Sequence, residues 1–440
     1  MQREFKETIM RRIILGLSML PMIALAQTLE ECQQAAERNY PLIRQYGLIE
    51  KTTDLTVANI QKGWLPQISA SAQATLQSDV MSWPEQMQSM LTAMGLDLKG
   101  LKKDQYRVGI DVQQMVFDGG AIKSQKEIAK RQGDVQSAQT EVMSYNVRKR
   151  VNEMYFGLLL LDEQLKLNAD LQASLASNEK KLASMLKGGT ASESDFNSVK
   201  AERLNVVQQA TSLQAQRQAL ARMLSVFCGI EAKAPSKPPR EEAFGAAVLP
   251  LEGDRGGLRP ELRAIDAQLR LADVQEKALD AALKPKLGVF AQGYYGYPGY
   301  NVFEDMMRRR FSWNGMIGAR LSWNIGALYT RKNDKAKLDV QRSALHVQRE
   351  VFLFNNHLEQ IQQNENIERY QKLMADDEEI IALRSSIRKA AESKLAHGII
   401  DVNGLVKEIN AENSARVQRS VHEIEMLKEI YDLKYTLGEK

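Results

Sequence analysis

The chain has 440 residues, of which 44% are apolar, only 6% aromatic and 26% charged, with a formal net charge of +4. That length would hold two or three ordinary domains, but so few aromatics among so much Gln, Ala, Leu, Lys and Glu suit long helices in water better than globular cores. The charge excess is small and forms no basic stripe, so nucleic acid is excluded as a partner.

Arg11 and Arg12 precede an apolar run from Ile13 to Ala24, and Ala24-Leu25-Ala26 supplies small residues for a cleavage site. Residues 1–26 therefore read as a signal peptide, with Gln27 first in the exported chain. The run is too short for a spanning helix, and nothing later reaches about 18 consecutive apolar residues, so any membrane passage must use strands. Cys32 and Cys228 remain in an exported chain, where they are either a disulfide pair or two unpaired helix thiols.

Next come two internal repeats, 27–228 and 258–440, joined by a linker over 229–257 that carries Pro235, Pro238, Pro239 and Pro250. Pro41 matches Pro260 and Pro66 matches Pro285, both 219 apart, whereas Gly109 matches Gly318 and Gly189 matches Gly398, both 209 apart. Two constant offsets, with the length change confined to one loop, are what a duplicated fold leaves behind. The first repeat predicts a helix from about Leu29 to Trp64, a strand over 67–77, a loop over 78–103 and a strand over 104–117. A long helix over 121–187 follows, then a break at Gly188-Gly189 and a helix over 190–227. Val151, Met154, Leu158, Leu161, Leu165, Leu171 and Leu175 space a coiled-coil seam along the long helix. The second repeat gives a helix after 258, strands over 286–297 and 312–325, a long helix over 327–397 and a helix over 401–437. At about 1.5 Å per residue each long helix is on the order of 100 Å, matching the two shorter helices of its repeat laid end to end, with the linker where those ends meet.

The strands alternate. Ile68, Ala70, Ala72, Ala74 and Leu76 fall on one side of the first, and Gln67, Ser69, Ser71, Gln73, Thr75 and Gln77 on the other. About eleven residues cross a bilayer when tilted, and a spanning sheet must close on itself. Closed bacterial barrels need at least about eight strands, so four per chain imply an oligomer that shares one barrel. Ser69, Ser71, Gln73, Asp111, Arg320 and Ser322 then face a wet lumen. Trp64, Tyr106, Tyr294, Tyr295, Tyr297, Tyr300, Phe311, Trp313 and Trp323 are expected to form an interfacial girdle.

The signal peptide, "LRPELRAIDAQLRLADVQ", the proline entry to each repeat's first strand in "WLPQISASAQ" and "LKPKLGVFAQ", "VFDGG" at 116–120, "SWNIG" at 322–326, and the turns "GGTASESDF" and "HGIIDVNGL" resemble the TolC-type outer-membrane efflux proteins. The resemblance covers essentially the whole exported chain. It implies a mainly α protein with transmembrane β-structure: a homotrimer whose shared 12-stranded β-barrel in the outer membrane continues into a periplasmic α-helical coiled-coil barrel. The linker would lie in an equatorial region. Such a protein is an exit duct that passes small molecules such as drugs from an inner-membrane transporter, through a periplasmic adaptor, to the exterior. Type I protein secretion and metal efflux use the same duct, and an outer-membrane-anchored structural coiled coil is the alternative of a different class.

No His-Glu-x-x-His, Gly-x-Ser-x-Gly or phosphate loop occurs, so no enzyme, cofactor or metal site is expected. Met81, Met87, Met90 and Met94 read as apolar loop packing, and Arg308-Arg309-Arg310 as a solvated charge run. The resemblance makes the two helix turns the candidate periplasmic aperture and adaptor contact: Gly188, Gly189, Thr190 and Asp195 in the first, His397, Gly398, Asp401 and Lys407 in the second. It implies an Asp six residues after each turn glycine, with a second acid three residues later in the second repeat. Asp195 fits; Gly404 and Lys407 stand in the second repeat's acidic positions, with Asp401 lying earlier. Asp195 is either a pore-ring carboxylate or an ordinary first-turn acid favoured by the helix dipole.

Overall fold

A computed structural model describes residues 28–95, 100–231, 235–238 and 259–439. The signal peptide and most of the 229–257 linker lie outside the described residues. Within them the chain forms nine α-helices and four strands.

Helix α1 (Leu29–Asn39) starts at a capping box, in which Thr28 and Glu31 each bond the other's backbone amide. The sequence predicts one helix from Leu29 to Trp64, but the chain breaks at Pro41. Pro41 has no amide to donate and forces Tyr40 into an extended conformation, φ −60° and ψ 129°. Helix α2 (Ile43–Gln61) resumes and ends in a 3-10 turn over Lys62–Trp64.

Strand β1 (Gln67–Leu76), helix α3 (Glu85–Ala93), strand β2 (Asp104–Phe117) and the long helix α4 (Ala121–Lys187) follow, then helix α5 (Glu193–Cys228). The second repeat supplies α6 (Pro260–Ala282), β3 (Lys286–Tyr297), α7 (Val302–Arg308), β4 (Ser312–Ser322), α8 (Ala327–Ala396) and α9 (Val402–Leu437). The expected starts at 190 and 401 move inward because Ser192 and Asp401 serve as N-caps, outside their helices. The expected strand over 312–325 stops at Ser322. Both strand-joining loops hold a short helix, α3 and α7. Met81, Met87, Met90 and Met94 are exposed rather than packed. The arginine run is only partly free in solvent: Arg308 and Arg310 pair with Glu304, and Arg309 donates to the Gly100 carbonyl at 2.9 Å.

The four strands make one antiparallel sheet in the order β1-β2-β3-β4. Among the described residues the outer edges of β1 and β4 carry no partner strand.

The chain divides into two compact units. The helical unit uses the chain up to Gln45, Thr140–Leu262 and the chain from Glu350; the sheet unit uses Tyr46–Gln139 and Arg263–Arg349. In the helical unit, Val151, Tyr155, Leu427 and Ile430 are fully enclosed with Leu29, Leu158 and Leu224 in one core. A second core holds Leu175, Leu182, Val199, Val402 and Leu405. Residues 235–238 touch the first of these regions: the Tyr155 hydroxyl donates to the Ser236 carbonyl at 2.6 Å, and Lys237 pairs with Glu423 at 2.6 Å. No described helix is long and apolar enough to cross a membrane.

Candidate functional site

Two regions carry the residues singled out in the sequence. The first is one face of the sheet. Register pairs Ser69 with Asp111, Ser71 with Gly109 and Gln73 with Arg107. It carries on through Asp111 to Gln292 and Gly109 to Tyr294, and pairs Gly288 with Arg320 and Lys286 with Ser322. Alternation along each strand therefore gathers Ser69, Ser71, Gln73, Asp111, Arg320 and Ser322 on one face. The opposite face runs from Ala70, Ala72 and Ala74 to Ile110 and Val108, then Ala291 and Tyr295, then Ile317 and Trp313.

Two matching motifs order the polar face. Gly109 stands opposite Tyr294, and a Cβ there would come within 2.7 Å of that side chain; Gly318 stands opposite Phe290, with the ring 2.7 Å from the same imagined atom. At both positions a side chain would collide with the residue opposite, with the Tyr294 Cβ at Gly109 and with the Phe290 ring at Gly318, so glycine stands there. Arginine then covers the ring: Arg107 lies 4.4 Å from the Tyr294 centroid and Arg320 5.2 Å from that of Phe290. Gln292 donates to Asp111 across the β2–β3 pair. The face therefore presents fixed guanidinium and amide groups rather than freely swinging ones.

This arrangement corrects the aromatic girdle. Tyr106, Tyr295, Phe311 and Trp313 cluster and are exposed, with Tyr295 centred 5.1 Å from Trp313 and 5.8 Å from Phe311. Tyr294 instead lies buried on the polar face under Arg107. Tyr297 is also buried: its hydroxyl accepts from the Lys102 amide at 2.9 Å and donates to the Asp305 carbonyl at 3.4 Å, tying the two strand-joining loops together.

The second region is the pair of helix turns, which share the second core of the helical unit. Gly189 takes φ +76°; its amide donates to the Leu186 carbonyl, and the Thr190 amide to that of Met185 at 2.9 Å. Gly398 repeats this at φ +72°, with its amide on Leu395 and that of Ile399 on Lys394 at 2.9 Å. Both are Schellman stops that need a left-handed residue, and Gly188 and His397 hold the preceding position in each. His397 directs Nδ1 at the Ser393 carbonyl, 2.8 Å away, and a carbonyl only accepts, so Nδ1 carries the proton.

After each turn a side chain caps the next helix. Ser192 and Asp195 form a capping box: the Asp195 amide donates to the Ser192 hydroxyl at 3.1 Å, and the Ser192 amide donates back to the Asp195 carboxylate at 3.1 Å. In the second repeat Asp401 accepts from the Gly404 amide at 2.9 Å. Ser192 and Asp401 are 209 apart, as are Asp195 and Gly404. The acid that seems missing from the second repeat has moved three residues, from the first turn to the cap itself. Each repeat keeps one carboxylate at its helix start, where the orphan amides need it. Lys407 is exposed one turn further along α9.

Sequence reading missed a charged group above the turns. Arg388 of α8 reaches Glu412 and Glu392, and Arg416 donates to Glu412 at 2.7 Å. Burial pushes the Glu412 carboxyl up, but the hydrogen bonds from Arg416 and Arg388 outweigh it and hold it below the ordinary carboxylate range. Arg388, Glu412 and Arg416, with Asp170, Ser174 and Asn413, line a cavity of about 290 Å³. The i,i+4 spacing of Glu412 and Arg416 was visible in the sequence; the partner 24 residues away was not.

Residues 33–226 match the outer membrane efflux protein family. No curated protein matches the chain. Among solved structures, the outer-membrane channel OprN is 14% identical, with a TM-score of 0.65 over 94% of this chain and 90% of its own. CusC is 12% identical, with a TM-score of 0.68 over 94% and 93%. The outer membrane protein VceC of Vibrio cholerae is 13% identical, with a TM-score of 0.64 over 93% and 96%. At such identities the likeness is one of fold.

Proposed function

We propose, from the match of residues 33–226 to the outer membrane efflux protein family, that the chain is the exit duct of a tripartite efflux system. Three copies share a closed barrel of twelve strands in the outer membrane, and the helices extend into the periplasm. The observation that carries this reading is the sheet: two edges unpaired among the described residues, one largely apolar face and one polar face. An isolated sheet with such edges is an aggregation hazard in water, and closure with further copies removes them. The apolar face then meets lipid, and Ser71, Asp111 and Arg320 line the water path.

A second feature supports the oligomer. Along α8, Val340, Val347, Phe354 and Ile361 recur at seven-residue spacing, with Val351 and Leu358 between them, and all are exposed in one chain. That is a coiled-coil seam awaiting a partner, which a neighbouring copy supplies. The helix turns at Gly189 and Gly398 form the periplasmic aperture and meet the adaptor, which passes small molecules on from the inner-membrane transporter. Asp195 and the exposed Lys407 set the charge of that mouth.

Planar-bilayer recording from the purified oligomer tests the reading. A duct conducts; a structural anchor with a plugged barrel does not. Lys407→Glu should strengthen block by trivalent cobalt hexammine, and unchanged block would remove Lys407 from the pore.

A further inference from the structure

Two thiols meet where α1 docks on the end of α5. Cys32 lies in the first turn of α1, and Cys228 is the last residue of α5. They are 1% and 4% exposed. The Cys228 thiol donates to the Cys32 carbonyl at 3.4 Å. The surrounding contacts hold both ends in place. The Asn39 amide group donates to the carbonyls of Val226 and Phe227 at 3.0 and 3.2 Å, and Tyr40 stacks on Phe227 with ring centres 5.9 Å apart. Gly229, at φ +68°, ends α5 directly against Asn39.

We propose that Cys32 and Cys228 are joined by a disulfide in the exported protein, fastening α1 to the C-terminal end of α5. The proposal rests on the export that the efflux reading requires, because thiols persist in a reducing compartment and pair in an oxidising one. Two buried cysteines, one thiol already touching the other residue's carbonyl, on elements held by three further contacts, need no large backbone movement to bond. A two-cysteine site also lacks the ligands for a structural metal.

The bond forms by thiol–disulfide exchange with an oxidant disulfide of the compartment. The thiolate of one cysteine attacks a sulfur of the oxidant and displaces its other sulfur; the second cysteine then attacks the mixed disulfide. One protein S–S bond forms and one oxidant S–S bond is lost. The oxidant leaves as two thiols, carrying the two electrons and the two protons of the cysteines. Oxidation precedes final docking of α1, since the docked pair excludes a bulky oxidant.

The test is alkylation of the chain, purified from membranes without reductant and denatured in acid, with a maleimide polymer that adds visible mass per thiol. The expected result is no added polymer before reduction, two after it, and one before reduction in Cys32→Ser. Two polymers on the unreduced wild-type chain would overturn the proposal, as would a disulfide-linked dimer on a non-reducing gel. If the unreduced chain takes two, refolding of the reduced, denatured chain in the presence of oxidised glutathione separates the causes. Loss of both thiols would fault the export premise; continued labelling would fault the geometry. Bilayer conductance, which needs neither cysteine, tests the efflux reading separately.

Discussion

The helical unit and the sheet unit treat their apolar residues in opposite ways. Val151, Leu427 and Ile430 are 0% exposed in the first, whereas Ile68, Trp313 and Ile317 are 71%, 82% and 84% exposed in the second. Burial of apolar surface is the dominant favourable term in folding, so the helical unit builds cores of its own within one chain, although it leaves the α8 seam open, and the sheet builds none on its apolar face. In the proposed duct the sheet is finished by what surrounds it: lipid against the alanine, valine and isoleucine face, and another copy at each edge.

That contrast breaks if the two units respond alike to truncation. Leu427→Ala should cost about 2–5 kcal/mol, the range for a buried leucine that leaves a cavity. Ile317→Ala should change the same helical unfolding midpoint by no more than about 0.5 kcal/mol. Comparable losses would show that the exposed face is part of a core after all.

The two faces of β1 give a finer test. Ala72→Arg places a cation on the face assigned to lipid and should disfavour assembly by about 2–4 kcal/mol, the range for such a residue near the midplane of a barrel. Ser71→Arg, one residue away on the polar face, should leave the membrane-extracted yield unchanged. Equal yields would mean that the faces are exchanged or that the sheet does not meet lipid.

The turns should respond more weakly. Ser192→Ala and Asp401→Ala each remove a helix cap and should cost about 1 kcal/mol, read as faster amide exchange at the start of α5 or α9. An effect at only one of the two would deny their equivalence across the repeat. Smallest is the pH response of Glu412. Its folded-state pKa lies below the ordinary 4.5, so its contribution is full above that value and is lost as pH falls through the folded value. Glu412→Gln should flatten the acid limb of helical stability below about pH 4.5; an unaltered limb would deny the Arg388–Glu412–Arg416 linkage.

What the sequence made legible is local. Period-two alternation assigns both faces of β1 without any partner, and Gly189 and Gly398 mark the turns because a left-handed stop favours glycine. The break at Pro41 was obscured because helical patterning continues on both sides of it. Helices α3 and α7 are too short to show a period. Tyr294 was grouped with the girdle by composition, although strand parity sends it to the polar face with Asp111. The opposition of Arg388 and Glu412, like the meeting of Cys32 and Cys228, depends on how separate helices pack, and no spacing rule reports that.

The central claim is that β1 and β4 close the sheet by pairing between copies. A cysteine at Ser71, combined in turn with cysteines at Asn314, Met316, Gly318 and Arg320 in a chain carrying Cys32→Ser and Cys228→Ser, tests it directly after oxidation in the membrane. The account predicts that at least one pairing gives a ladder of one, two and three linked chains and nothing larger. A ladder that stops at two, runs beyond three, or never forms at any of the four positions would contradict it.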